Sequence, residues 1–306
     1  MLRFLLQRLF LILLVSATIV FAVRLGIDFM NRSQKFEPEL SAQETVAASA
    51  RASGLFLRNL LGGDLGEYQT PSGPQPLGAM LRPAFVASMG LMLVSMLVSA
   101  GVGVYLGTAT ALGRSKLFAF GMLTLTVVGI SAPSFFIGML LQQSVINYFV
   151  ATGTRVLSVA GYGWNYRHLL LPVLVLSARP IAYLMRTSHI AIDRTMQEDY
   201  IRTAYSKGLR RRYVINVHAL ANVAVPVLTA IGVSLRFSLG VLPVVEYLFA
   251  WPGMGLRLME GIRNGEPNVV MALSLVFGLV FLVGNLLLDV AYRYIDPRMR
   301  EGLSLG

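Results

Sequence analysis

Two arginines interrupt long uncharged stretches of the sequence, where a charge is costly. Arg179 stands directly before Pro180 inside one apolar run, and Arg236 follows another. A guanidinium in an apolar environment can attract a carboxylate or another anionic group. Snorkelling towards water, or an ion pair with Asp289 or Glu246, is the alternative role for both arginines. This pattern predicts anion recognition or internal charge pairing.

Two serines flank the second of these arginines. Ser234 and Ser238, together with Arg179 and Arg236, are the candidate residues of a polar translocation pathway. Hydrogen bonding between neighbouring helices is the alternative role of such serines in a membrane protein.

Residues that support catalysis or metal binding are scarce. The three histidines, His168, His189 and His218, are far apart and have no cysteine or acidic companions at ligand spacing. We find no Ser–His or paired-aspartate arrangement of the kind that an intramembrane enzyme needs. The phosphate-binding pattern G-x-x-x-x-G-K-[ST] is absent from the sequence. We therefore expect no catalytic residue, no metal site and no cofactor in this chain, and no ATP hydrolysis by the chain itself.

The elements that carry these residues are predicted to be membrane-spanning helices. Of 306 residues, 55% are hydrophobic and 13% are charged, whereas about a quarter are charged in a typical soluble domain. Most uncharged runs reach the roughly 20 residues that a helix needs to cross the hydrocarbon. They predict an all-α, polytopic fold with six transmembrane helices: Leu9–Val23, Pro83–Leu112, Phe118 to about Leu141, Leu169 to about Ser188, Ala219 to about Leu242 and Asn268 to about Tyr292.

The polar segments between the spans suggest the domain boundaries. Residues 1–27 form the first span, for which a cleaved signal peptide is the alternative. Residues 28–82 form an external loop, and residues 83–306 hold the other five spans with a polar cytoplasmic segment at about 189–218. Within the external loop the sequence predicts an amphipathic helix over Ala42–Leu61 and turns at 62–64 and 71–74.

The net charge of +11 is interpreted in the light of these spans. Short cytoplasmic loops of membrane proteins are enriched in Lys and Arg, and the densest basic cluster lies between two spans. No aromatic or motif context accompanies it, so a nucleic-acid partner is not expected. Six spans and this charge bias place both termini in the cytoplasm.

The segment from Glu198 to Leu209 has the pattern of a short helix that ends at a glycine. Gly208 can adopt the left-handed conformation at a helix C-terminus, and the acids at the start with Lys207 at the end favour the helix dipole. Residues 210–212 then open a second helix. Such a helix–glycine–helix can present a rigid knob to a soluble partner, and an ordinary solvated loop is the alternative.

A second turn is predicted after the fifth span. Trp251, Pro252 and Gly253 reverse the chain at the external face, where with Glu246 they are candidates for an external gate. Anchoring at the membrane interface is the alternative role of Trp251.

Seven short motifs follow one another in order along the chain. They are G-D-L-G at 63–66, A-P-S-F at 132–135, E-D-Y-I-R-T-A at 198–204, K-G-L at 207–209, H-A-L at 218–220, W-P-G-M-G at 251–255 and D-P-R at 296–298. With these motifs the chain resembles permeases of ATP-binding-cassette importers, in the dipeptide/oligopeptide/nickel family, and within it the first, B-type, permease subunit. One departure is Arg202, which replaces the glutamate of the general E-A-A pattern.

The resemblance implies a type I importer fold in the bacterial inner membrane and a set of partners. These are a second, related permease chain in a heterodimer, two cytoplasmic subunits that bind ATP and Mg, an external solute-binding protein, and lipid. It implies that Glu198, Asp199, Tyr200, Arg202, Thr203, Ala204, Lys207 and Gly208 couple to the ATPase, and it favours peptide cargo over nickel. An ion-coupled secondary transporter is the alternative function, which requires acids near the centres of the spans.

Overall fold

A computed structural model describes residues 2–35, 41–70 and 73–295 of the chain. Within these residues, six helices are long and apolar enough to cross a membrane. Their spanning parts are Gln7–Met30, Leu77–Leu112, Ser134–Thr152, Tyr166–Met196, Val223–Leu248 and Pro267–Ala291. The predicted all-α polytopic fold with six spans is therefore confirmed.

The chain forms two compact units, which are described separately. The first is drawn from residues 1–89 and 250–286, and the second from residues 90–249 and the end of the chain. The elements of the first unit are α1 (Leu2–Lys35), α2 (Ala42–Leu61), β1 (Glu67–Thr70), β2 (Gly73–Pro76), the start of α3 (Leu77–Leu112), α10 (Met254–Asn264) and most of α11 (Pro267–Ile295). Strands β1 and β2 pair antiparallel, with Glu67 opposite Pro76 and Thr70 opposite Gly73.

Helix α2 confirms the amphipathic helix predicted in the external loop. A capping box fixes its start, because the Ser41 side chain accepts from the Glu44 N–H and the Glu44 carboxylate accepts from the Ser41 N–H at 2.6 Å. One face of α2 is buried and carries Thr45, Ser49, Ser53 and Phe56. The predicted turn at residues 62–64 is observed, whereas the centre of the one at 71–74 lies outside the described residues.

The second unit continues α3 and contains the remaining elements. They are α4 (Lys116–Ser131), α5 (Ser134–Thr152), α6 (Tyr166–Met196), α7 (Asp199–Ser206), α8 (Arg211–Tyr213), a π-helical segment (Val214–Ala219) and α9 (Leu220–Leu248). A π-helical turn is rare and is often found at functional positions.

The predicted third span is wrong in its boundaries. The segment from Phe118 to Leu141 is broken at Ala132 and Pro133, both of which adopt extended backbone, so it forms nearly all of α4 and the start of α5. Proline lacks an N–H and disfavours helix in the preceding residue, which explains the break. Helix α5 forms the span, and it ends at Gly153 with φ 69°. The loop that follows this span therefore begins at Gly153, twelve residues after the predicted end of the span at about Leu141.

The predicted end of the fifth span is also wrong. Helix α9 continues through Pro243 to Leu248 instead of ending near Leu242. Proline is tolerated inside membrane helices because neighbouring groups satisfy the freed carbonyl. As a consequence Glu246, predicted to lie in an external stretch, belongs to the last turn of α9 and is fully buried.

Helices α3 and α6 approach closely through small residues. A Cβ added at Gly103 would lie 2.7 Å from the Cβ of Leu184 and 3.0 Å from the carbonyl oxygen of Ile181. A Cβ at Gly107 would lie 2.5 Å from the carbonyl oxygen of Met185. Small residues at such positions let membrane helices pack backbone to backbone, because the packing itself stabilises the pair.

We expect Gly103→Val to destabilise the chain by about 1–3 kcal/mol or more, because the added atoms overlap the backbone of α6. The matched control is Gly101→Val in the same helix, since no atom lies within 4 Å of a Cβ at Gly101. Thermal unfolding of the purified chain, followed by size-exclusion chromatography, measures both variants. Equal loss of stability in the two variants would contradict the close packing.

Candidate functional site

Helix α7 is held to the second unit by its own apolar face. Ile201 is 1% exposed and forms a cluster with Ala204 and Val214, against which Met196 and Leu209 pack. This cluster is local, since all five residues lie within twenty positions of one another. It gives an eight-residue helix, too short to be stable alone, a fixed orientation.

The end of α7 is a glycine-terminated cap. Gly208 adopts φ 74°, its N–H donates to the carbonyl of Tyr205 at 2.9 Å, and the Leu209 N–H donates to the carbonyl of Ala204 at 3.3 Å. These two bonds, with the packing of Leu209 on Ala204, are those of a Schellman motif. The predicted left-handed glycine at the end of this helix is confirmed.

The other face of α7 is exposed and polar. Tyr200 and Tyr205 are 42% and 38% exposed, and Arg202, Thr203 and Lys207 are exposed as well. The ion pair between Asp199 and Arg202 spans 3.5 Å between highly exposed side chains and contributes little. Glu198 precedes the helix as its N-cap residue without a side-chain cap bond. Of the residues predicted to couple to a partner, Ala204 alone faces the cluster.

Two hydrogen bonds that the sequence did not predict tie this region to the end of α3. The Arg211 guanidinium donates to the carbonyl oxygen of Leu112 at 2.8 Å. Two residues before Leu112, the hydroxyl of Thr110 lies 3.1 Å from the Nδ1 atom of His189. A positive charge near the carbonyl groups at a helix C-terminus is favourable, so Arg211, which follows Gly208, stabilises the end of α3.

Arg179 lies half-buried on α6 and faces α9. Its guanidinium carbon is 4.9 Å from the centre of the Phe237 ring, in cation–π geometry, and Tyr183 packs on the same ring edge-on. The Arg179 Nε atom is buried without a hydrogen-bond partner among the described residues. A buried donor without an acceptor costs about 1–3 kcal/mol, so an acceptor that reached this nitrogen would remove that cost.

The three predicted pathway residues on α9 lie on different sides of the helix. Ser234 and Ser238 are buried and lie on the same side as Phe237. The Ser234 hydroxyl has no partner among the described residues, and that of Ser238 lies 3.7 Å from the sulfur of Met96. Arg236 is exposed and is not brought together with Arg179.

Three of the four predicted gate residues are buried, each within its own unit, and Pro252 is half-buried. Glu246 is fully buried at the end of α9 in the second unit. In the first unit the indole N–H of Trp251 donates to the carbonyl of Ala87 at 3.0 Å, and the ring is fully buried. The Trp251 ring therefore packs against other residues of the first unit, and its role in a gate stays a prediction. Pro252 and Gly253 follow it as the turn that was predicted, and the Met254 N–H donates to the Ser88 hydroxyl at 2.7 Å.

We expect Trp251→Phe to lower the free energy of unfolding by about 1–3 kcal/mol, because the buried carbonyl of Ala87 loses its donor. Trp164→Phe is the matched control, since Trp164 is exposed and its N–H donates to the hydroxyl of neighbouring Tyr162. Thermal unfolding of both variants measures the difference. A control as unstable as Trp251→Phe would contradict the importance of the buried bond.

Gln142 on α5 is another residue that the sequence did not single out. Its side-chain amide donates to the carbonyls of Val159 at 2.8 Å and Leu248 at 3.1 Å. It thereby holds the loop between α5 and α6 and the end of α9 together. No group of three or more potential metal ligands occurs among the described residues.

Comparison with known proteins agrees with this arrangement of spans and loops. Residues 103–301 match the family described as binding-protein-dependent transport system inner membrane component. The chain is 33% identical over 250 residues to a Brucella abortus protein that carries the provisional name of a peptide transport system permease, covering 81% of this chain and 79% of the relative. It is 36% identical over 245 residues to the glutathione transport system permease protein of Pectobacterium atrosepticum, covering 80% and 78%. A Salmonella typhi protein of the same glutathione transport name is 32% identical, with the same coverage. The chain therefore belongs to the family of inner membrane components of binding-protein-dependent transport systems, and it is a permease subunit.

Proposed function

We propose that this chain forms one half of the translocation pathway of an ATP-driven importer for peptides and related small solutes. The observation that carries the proposal is the rigid presentation of α7. Its apolar face is fixed by Ile201, Ala204 and Val214, its end is fixed by Gly208, and its polar face is exposed. Such a knob suits a groove on a soluble ATPase, whose closure it transmits to the spans.

The proposed complex contains three kinds of partner subunit in addition to this chain. A second, related permease completes the pathway, two ATP-binding cassette subunits bind ATP and Mg at the cytoplasmic face, and an external protein delivers the solute. The chain has no phosphate-binding loop in its sequence, so ATP hydrolysis is assigned to the partners. We place the chain in the bacterial inner membrane with both termini in the cytoplasm, on the basis of its loop charges.

Peptides and glutathione share a feature that Arg179 can recognise, which is a free carboxylate. The names of the relatives refer to peptide and glutathione transport. The Arg179 Nε atom on α6 and the Ser234 hydroxyl on α9 are both buried, and neither has a hydrogen-bond partner in the part of the chain that the structure describes. A carboxylate that reached these atoms when α6 and α9 part during transport would accept from both, which favours peptide cargo over a nickel complex.

Uptake into vesicles tests this proposal. The complex is purified through this chain, reconstituted, and supplied with the external binding protein and labelled dipeptide or glutathione. ATP-dependent uptake without an ion gradient is the expected result. Uptake that follows a proton or sodium gradient and ignores ATP would instead support the secondary-transporter alternative.

A further inference from the structure

Helix α2 presents an exposed face of two arginines and two leucines. Arg51, Leu55, Arg58 and Leu61 lie within about 120° of arc on a helix that turns 100° per residue. Leu55 is 59% exposed and Leu61 is 91% exposed, and both arginines are exposed. Basic residues beside apolar ones on a helix face are typical of helices that lie in the surface of a membrane.

Packing within the first unit fixes the depth of α1 and α11 in a bilayer. The side chain of Ile19 packs directly against Gly278. Both residues lie near the middle of their spans, Gln7–Met30 and Pro267–Ala291. A hydrocarbon layer centred there ends about 15 Å away, which is about ten residues along each helix. Its external edge is therefore close to Asp28 on α1 and Asn268 on α11.

Helix α2 is held at this edge. The Ser49 hydroxyl donates to the Asp28 carboxylate at 2.7 Å. Further along α2, Leu55 and Asn59 line a groove together with Arg24 and Asn268. The helix therefore runs along the boundary between hydrocarbon and headgroups, at the depth where its exposed leucines reach acyl chains.

The face is basic because both of its ionisable residues are arginines, and three acids in the described part of the first unit have partners of their own. The Asp28 carboxylate pairs with Arg24 at 3.0 Å, and that of Asp64 accepts from the Gly66 N–H at 2.8 Å. Glu44 is committed to the capping box. Neither Arg51 nor Arg58 has an ion-pair partner in the described ranges of the chain. At this depth the phosphate of a lipid headgroup is a suitable partner for these two guanidinium groups.

We propose that α2 is an interfacial helix that binds the anionic phospholipids of the external leaflet. Leu55 and Leu61 insert at the upper end of the acyl chains, while Arg51 and Arg58 extend to the phosphate groups. The helix holds the external end of α1 through Ser49 and Asp28. The lipid surface thereby anchors the external part of the first unit.

The absence of cysteine in the sequence allows a single label to test the proposal. An environment-sensitive fluorophore is attached at Leu61→Cys in the full-length chain. The matched control is a label at Asn264→Cys, which is exposed and precedes the external end of α11. Both are reconstituted in vesicles of phosphatidylethanolamine and phosphatidylglycerol, some of which contain nitroxide lipid.

Nitroxide lipid is expected to quench the label at position 61 and to leave the label at position 264 accessible to aqueous iodide. Arg51→Gln and Arg58→Gln are each expected to weaken association of the helix with the anionic surface about fivefold. Replacing the anionic vesicles by pure phosphatidylcholine is expected to weaken the association of the helix with the surface as much as replacing both arginines does. The proposal is overturned if iodide reaches both labels equally in every lipid. It is also overturned if the external binding protein alone shields position 61, which would assign the face to a protein partner.

Discussion

Gly208→Val is expected to abolish the stimulation of ATP hydrolysis by substrate, while the chain still inserts into the membrane. Gly208 adopts φ 74°, a conformation that costs a residue with a Cβ about 1–2 kcal/mol and a β-branched one more. No atom lies within 4 Å of an added Cβ, so the cost is conformational and not a clash. The strain unwinds the Schellman cap and turns the polar face of α7 away from its partner. ATPase activity of the purified complex, with and without substrate-loaded binding protein, measures the effect.

Gly153→Val is the matched control for this experiment. Gly153 also ends a helix with positive φ, at 69°, and likewise has open space around an added Cβ. It lies at the end of α5, away from α7 in the sequence, so a comparable strain is introduced without disturbing the proposed coupling segment. We expect the Gly153 variant to keep its stimulation. Normal stimulation in the Gly208 variant would exclude α7 as the transmitting element.

Arg179→Gln is expected to reduce the uptake of peptides that have a free C-terminal carboxylate about 10- to 100-fold at low concentration. The reason is the loss of a charge-assisted hydrogen bond of about 1.5–3 kcal/mol. Amidated peptides, which lack the carboxylate, are expected to lose much less. Initial rates of uptake for matched free and amidated peptides measure the difference.

Arg236→Gln supplies the control, because it makes the same change of charge on an exposed side of α9. We expect it to leave the ratio of free to amidated uptake unchanged. If Arg179→Gln lowers the uptake of both peptides equally, Arg179 holds α6 to Phe237 and does not contact cargo. Arg179→Lys then distinguishes charge from shape, since lysine keeps the charge but loses the planar fork.

The spans and the glycine cap were predictable because they depend on local sequence. Uncharged runs of sufficient length identify membrane helices, and a glycine between polar helix termini identifies a left-handed cap. The helix boundaries were less predictable at prolines. Pro133 breaks a helix and Pro243 does not, and the difference depends on the neighbours of each carbonyl, which the sequence does not state.

Contacts between distant residues were not predictable at all. The pairing of Arg179 with Phe237 and the bond from Arg211 to Leu112 join residues far apart in sequence. The burial of Trp251 was missed for the same reason, because its acceptor on Ala87 lies 164 positions away. The three pairings arise from the packing of whole helices, and residue types alone do not specify them.

The central claim is that this permease transmits the energy of ATP hydrolysis through α7. The most direct test is a mild-detergent purification of the tagged full-length chain from its native membrane, with identification of bound proteins and an ATPase assay. We predict that two ATP-binding cassette subunits and a second permease are recovered, and that Gly208→Val loses the stimulated activity while Gly153→Val keeps it. Recovery of the wild-type chain without any ATPase would contradict the account and support an ion-coupled transporter.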